Sequence, residues 1–203
     1  MMIASVLHLS RADVKALNIT DAYSIHRVVY DLFDDTRTES EKQRSVSSGI
    51  LYSDKGGDSR GRKILMLSNR QPNAPTHGEI SMRTIADDFL DYQNYRFEVV
   101  INPTKRQSGG GKLIPLRTRE NIAKWFIEKA PQWGFEVSSE HLEIEEIIVK
   151  KFLNKHKYEI TQTQARILGR LTVTDKTKFV QSFQQGIGRG RSFGCGLLQI
   201  VPI

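Results

Sequence analysis

From Tyr95 to the C-terminus the hydrophobic pattern changes period in a fixed order: strand, helix, strand, strand, helix, strand. Phe97, Val99 and Ile101 alternate with Glu98, Val100 and Asn102, the two-residue repeat of a strand. A helix over about 118–132 follows, its apolar face marked by Ile122, Trp125, Phe126, Ala130 and Trp133. Strands are predicted at about 142–151 and 160–174. In the latter, Ala165, Ile167, Leu171 and Val173 share one side, with Arg166 and Arg170 on the other. A helix over 175–185 places Phe179, Val180 and Phe183 inward, and Leu197–Val201 reads as a last strand. This β-α-β-β-α-β order is that of the ferredoxin-like fold.

The first part of the chain fits the same order less clearly. Residues 2–9 read as a strand. A helix is predicted from about Asp21 to Phe33, capped by Thr20 or Asp21, with Ile25, Val28, Val29, Leu32 and Phe33 at helical spacing. The charged stretch 34–45 reads as a loop. Strands near 46–53 and 62–68 are joined by Asp54-Lys-Gly-Gly-Asp-Ser, a turn signal. A short strand near 79–84 completes the order if a second helix lies near 70–78. The expected fold is therefore α+β, two tandem ferredoxin-like (RRM-like) βαββαβ domains. The boundaries are 1–90 and 95–203, with a linker at Asp87–Asn94. The RRM scaffold shares this topology, but its aromatic RNA-binding signature is missing.

The chain carries a formal net charge of +7, and only Cys195 could enter a disulfide. A single cysteine fits a reducing cytoplasm, and the charge favours polyanionic partners. No apolar run approaches the roughly 20 residues that cross a membrane. The five histidines show no metal-ligand spacing, so no metal site is expected from them. A carboxylate-held Mg²⁺ stays open by sequence, although Asp34-Asp35 and Asp87-Asp88 read as solvated loop charges; no cofactor is expected.

Near the C-terminus, Gly186-Ile-Gly-Arg-Gly-Arg-Ser-Phe-Gly-Cys-Gly196 holds five glycines, two arginines and no acid. Two readings suit it: a helix-to-strand turn, or a loop packed on a nucleic-acid backbone through Gly186, Gly188, Arg189, Gly190 and Arg191. It fails the nucleotide templates. A Gly-x-Gly-x-x-Gly motif would need glycine at Arg191 or Phe193, and no Gly-Lys pair makes a P-loop. A nucleotide-binding regulator is thereby disfavoured. Cys195 reads as a small packed residue. Two other acid-free basic clusters occur, Asn102–Arg119 (Lys105, Arg106, Lys112, Arg117 and Arg119) and Lys150–Lys157, whose four lysines include Lys150 and Lys151. Each alone suits a solvated face; together they suit a surface for folded nucleic acid, gripping phosphates.

On the first predicted helix, Tyr23, His26, Arg27 and Tyr30 fall off the apolar stripe, and Tyr23 and His26, three apart, lie side by side. Histidine gives or takes a proton near neutral pH, so this flank could work on a phosphodiester. An inert exposed histidine has the same spacing.

These segments together resemble the CasE family, the repeat-processing endoribonucleases of type I-E CRISPR systems. Asp21-Ala-Tyr-Ser-Ile-His-Arg27 resembles the family's Tyr-x-x-His-Arg catalytic segment. Tyr95–Arg106 resembles its strand ending in Asn-Pro-x-Lys-Arg, Arg117–Trp125 the helix after it, and Gly186–Leu198 its glycine-rich loop and last strand. The resemblance implies cleavage of precursor crRNA at the base of the repeat hairpin without metal. The 2′-hydroxyl would attack, leaving a 2′,3′-cyclic phosphate or 3′-phosphate and a 5′-hydroxyl. It implies His26 as general acid or base, Tyr23 as its helper, and a product-bound subunit of Cascade. Some relatives carry a basic residue one turn beyond the histidine; Tyr30-Asp31 stands there in this chain, leaving Arg27, Lys150 or Lys151 as the phosphate cation. The alternative reading is a non-catalytic subunit of the same fold that binds the RNA hairpin.

Overall fold

Ile3, Ser5, Leu7 and Leu9 are buried along one side of β1 (Ile3–Leu9), as a half-covered strand requires. The computed structural model describes residues 1–44, 46–107, 111–154 and 156–203. Residues 108–110 of the basic loop, and Lys155 of the lysine cluster, lie outside the described residues. Two short helices escape the hydrophobic periodicity because neither buries a residue. They are α1 (Arg11–Ala16) and α3 (Glu39–Gln43), with α2 (Ala22–Tyr30) between them. Both carry a sequence signal of another kind, a capping box. Asp13 accepts from the Ser10 amide at 2.8 Å, and Glu41 from the Thr38 amide at 2.7 Å.

β2 (Ile50–Asp58), β3 (Gly61–Ser68) and β4 (Glu79–Thr84) join β1 in the order β2-β3-β1-β4, each neighbour antiparallel. Leu7 stands opposite both Ile64 and Ile80. The stretch Asp54–Ser59, predicted as a turn, lies mostly within β2. Its register shifts between Asp54 and Gly57, and the reversal falls at Ser59-Arg60. The second helix expected near 70–78 is absent. Pro72 and Pro75 remove two amide donors and disfavour helical backbone at Gln71 and Ala74. The Asn73 amide instead donates to the Leu32 carbonyl at 2.7 Å, pinning the link beyond the end of α2.

The second half has β5 (Asn94–Ile101), β6 (Thr104–Arg106), β7 (Leu113–Pro115), α4 (Arg119–Lys129), β8 (Phe135–Glu136), β9 (Leu142–Leu153), β10 (Glu159–Val173), α5 (Lys176–Gln185) and β11 (Gln199–Pro202). Its sheet runs β11-β5-β10, with β9 and the short β8 both pairing to β10. The stretch predicted as a basic loop forms the β6–β7 hairpin, with Lys105 opposite Ile114. Both sheets thus have the ferredoxin-like strand order, the first without its second helix.

Phe97, Phe126, Phe135 and Phe179 make the centre of the larger core, with Phe97 stacked on Phe126 at 5.6 Å between ring centroids. Leu51 and Leu67 of the first sheet belong to this same cluster. The halves are also linked through charge: Lys55 Nζ on β2 lies 2.5 Å from Glu98 Oε1 on β5. A residue of the first sheet can therefore be set against one from the far end of the chain.

Candidate active site

The first helix is oriented by what it buries. Asp21 caps α2, its carboxylate accepting from the Ser24 amide at 2.8 Å. Ile25 and Val29 enter a core with Leu7, Ile64 and Met66. At 100° per residue this turns Tyr23, His26 and Tyr30 onto the flank. There His26 meets three aromatic rings: Tyr23 at 5.9 Å, Tyr30 at 4.3 Å and Phe193 at 5.5 Å. Phe193 packs in turn on Phe152 of β9 at 4.7 Å.

His26 Nδ1 donates to the Ser192 carbonyl at 2.8 Å. A carbonyl only accepts, so Nδ1 carries a hydrogen and Nε2 of the neutral ring keeps its lone pair. The Tyr52 hydroxyl on β2 donates to the same carbonyl at 3.0 Å. Burial lowers the His26 pKa below its usual 6.5; the Ser192 hydrogen bond and the charge of Asp31 oppose it. The half-buried ring is therefore mostly neutral at pH 7, a state able to take a proton at Nε2.

The glycine run belongs to this site rather than to a separate surface. All five of its glycines have φ between 70° and 85°. A Cβ at Gly186, Gly190, Gly194 or Gly196 would lie 2.2–3.1 Å from a neighbouring atom, whereas Gly188 faces open space. The run is thus a folded turn first, and only Gly188 offers its backbone freely. It bends so that Ser192 and Phe193 reach α2. Arg189 and Arg191 are both exposed, and Arg191 donates to the Gln185 carbonyl at 2.8 Å. Cys195 is fully buried and its thiol pKa is pushed up to about 12 by burial, as expected of a packed residue.

The remaining basic residues divide. Lys150 and Phe152 share one face of β9, two residues apart. Lys150 lines a small cleft with Ala22, Ile25, Tyr52, Gln164 and Phe193. Lys151 points to the opposite face. Arg27 is exposed on α2 next to His26. Lys105, Arg106 and Arg117 are also exposed, and Arg106 donates to the Gly111 carbonyl across its hairpin at 3.1 Å. Arg119 straps α4 to β9, donating to the Ile144 and Glu145 carbonyls at 2.9 and 3.2 Å. No hydrogen bond or ring contact among the described residues joins these last four to the His26 cluster. Among the described residues, no three His, Cys, Asp or Glu side chains gather as metal ligands would, and no helix is long and apolar enough to cross a membrane.

Tyr52, Phe152 and Ser192 were not foreseen as members of this site. Nothing in Ile50-Leu-Tyr-Ser distinguishes Tyr52 from an ordinary strand aromatic. Phe193, the one large apolar residue between Gly188 and Gly196, was the available hint that the run packs against something.

A family model described as CRISPR associated protein matches residues 2–202. The CRISPR-associated endoribonuclease Cse3 of Thermus thermophilus is 29% identical over 119 residues, 54% of this chain and 56% of that protein, so the alignment spans about half the curated relative. The structure of Thermus thermophilus Cse3 bound to an RNA representing a pre-cleavage complex superposes with TM-score 0.79 at 18% identity over 99% of each chain. The CRISPR-associated protein Cas6e from Escherichia coli str. K-12 superposes with TM-score 0.65 at 19% identity over the whole of both chains. These structures share the tandem ferredoxin-like fold. With the family model covering nearly every residue, and with Cse3 and Cas6e as its relatives in sequence and fold, the chain belongs to the CasE family of CRISPR associated proteins.

Proposed function

We propose that this chain is an endoribonuclease that binds the CRISPR repeat hairpin and cleaves precursor crRNA at its base. The observation that carries the reading is His26: a mostly neutral imidazole, its Nδ1 engaged by the Ser192 carbonyl and its Nε2 without a partner among the described residues. The Cse3 relative, named as an endoribonuclease, supports it.

In this reading Nε2 takes the proton of the ribose 2′-hydroxyl. The 2′-oxygen bonds to the adjacent phosphorus and the bond to the 5′-oxygen breaks. His26 returns its proton as that oxygen leaves as a hydroxyl, so no net proton is consumed and the other end is a 2′,3′-cyclic phosphate. Tyr23, stacked beside the imidazole, orients the ribose. Both halves, taken as domains 1–90 and 95–203, contribute: His26 and Tyr52 from the first, Ser192, Phe193 and Lys150 from the second. Exposed Arg27, Lys105, Arg106, Arg117 and Arg189, with Gly188, grip the backbone of an A-form stem whose deep major groove hides its bases. The cleaved RNA stays bound in the cytoplasm, and the protein joins the other Cascade subunits.

The test is incubation with repeat RNA in excess EDTA. A single cut at the hairpin base with a 5′-hydroxyl end is expected. Tight binding with intact RNA would select the non-catalytic hairpin-binding reading instead, and a cut only on adding metal would discard the proposed chemistry.

Lys150 is the better phosphate cation, because its face of β9 is the one that meets Phe193. Lys150→Ala is expected to slow single-turnover cleavage by about 10²-fold, as loss of one transition-state donor does. Lys151→Ala, on the other face, is expected to change it less than ~3-fold, the scale of a screened surface charge. Equal effects in a gel-based time course would remove Lys150 from this role.

A further inference from the structure

We propose that Tyr52 is a positioning residue for His26, acting through the Ser192 carbonyl to hold the imidazole in the tautomer whose Nε2 is free to accept a proton. This rests on the reading of His26 as the general base.

Which ring nitrogen of a histidine carries the hydrogen is set by the bond the other one makes. Here the acceptor that fixes Nδ1–H is one backbone carbonyl, 166 residues away in sequence. A carbonyl oxygen has two lone pairs and can serve two donors. The second donor is the Tyr52 hydroxyl at 3.0 Å. Tyr52 is only 1% exposed, and the Ser192 carbonyl is the sole partner of its hydroxyl among the described residues. A buried hydroxyl without a partner is costly, so the phenol stays on this carbonyl. Burial also raises the Tyr52 pKa well above its usual value, which keeps the hydroxyl a donor at any working pH.

The turn bearing Ser192 is clamped from the other side as well. The Phe193 carbonyl accepts from Gln164 Nε2 at 3.1 Å, and the Phe193 amide donates to the Gly190 carbonyl at 2.9 Å. The Phe193 ring lies between His26 and Phe152. Gly194 brings its backbone against the Tyr52 ring, where a Cβ would sit 3.1 Å from Cε2. The carbonyl is thus aimed by β2 and β10 together, and the base receives its tautomer from a junction of both sheets. Partners of this indirect kind typically change activity by about 10–100-fold when removed from a metal-bound histidine, and the same orientation logic applies here.

Tyr52→Phe keeps the ring and deletes only the hydroxyl. The single-turnover cleavage rate is expected to fall by about tenfold, while the dissociation constant for the repeat hairpin stays within about twofold because the RNA-facing cations are untouched. The deciding readout is the ¹⁵N spectrum of His26 in RNA-free protein. Wild type is expected to show Nδ1–H, and Tyr52→Phe a measurable shift toward Nε2–H. An Nε2–H signal in wild type overturns the proposal without any variant. An unchanged rate in Tyr52→Phe overturns it too, as does a lower rate with an unchanged tautomer, which would mark a merely structural role. If His26→Ala cleaved normally the general-base reading would fall. If only Tyr52→Phe were silent, the base would stand and this positioning role would not.

Discussion

His26→Ala is expected to slow cleavage of the repeat hairpin by about 10³-fold, within the range for removing a positioned proton-transfer group. Binding of the intact RNA should change little, because the basic residues assigned to the phosphates are left in place. The substitution also removes the donor at 2.8 Å from Ser192, but Tyr52 still occupies that carbonyl, so the turn should persist. A second measurement bears on the same group. Burial lowers the His26 pKa below 6.5, outweighing the Ser192 and Asp31 contributions that raise it. A base acts in its neutral form, which dominates above that pKa. The wild-type single-turnover rate should therefore be flat through neutral pH and fall about tenfold per pH unit once the pH drops below the lowered value. A rate that climbs with acidity would make His26 an acid alone, and normal cleavage by the alanine variant would exclude it from the chemistry.

The second large effect is expected at the other end of the chain. Gly196 has φ +85°, and a Cβ there would stand 2.4 Å from the Ile187 carbonyl oxygen. Its backbone is held twice: its amide donates to the Val100 carbonyl at 2.7 Å, and its carbonyl accepts from the Ile187 amide at 3.0 Å. The clash is with main chain, so no rotamer relieves it. Gly196→Ala should cost about 3 kcal/mol, combining left-handed strain of about 1–2 kcal/mol with the displaced hydrogen bonds. For a chain of this size that lowers the melting temperature by roughly 6–12 °C. Cleavage measured well below the new midpoint should also fall, since moving residues 187–196 moves Ser192. Gly188→Ala is the control. It has φ +70° but nothing within 4 Å of the added methyl, leaving only the backbone strain. A Gly196→Ala melt within roughly 2 °C of wild type would show that the run shifts freely.

Much of this molecule is legible in its residues because the information is periodic and local. The alternation of Phe97, Val99 and Ile101 and the helical spacing of Ile122 and Phe126 place those elements correctly, since each side chain's burial follows from its own neighbours. The off-stripe position of His26 follows in the same way from Ile25 and Val29. Elements without an apolar repeat leave no such trace: α1 and α3 bury nothing, and the helix expected near 70–78 gives way to a link shaped by two prolines.

The sequence alone determined the ferredoxin-like order, the basic character and the candidate histidine, because hydrophobic period, charge and residue type are properties of short stretches. What only the tertiary structure decided is the chemical state of that histidine. The acceptor at its Nδ1, the tyrosine sharing that acceptor, and the placing of Lys150 in the cleft beside Phe193 depend on β2, α2, β9 and the glycine turn meeting in space. No repeat along the chain encodes such a meeting. It arises from two sheets sharing one apolar cluster, which brings residues 26, 52, 150 and 192 to a single point.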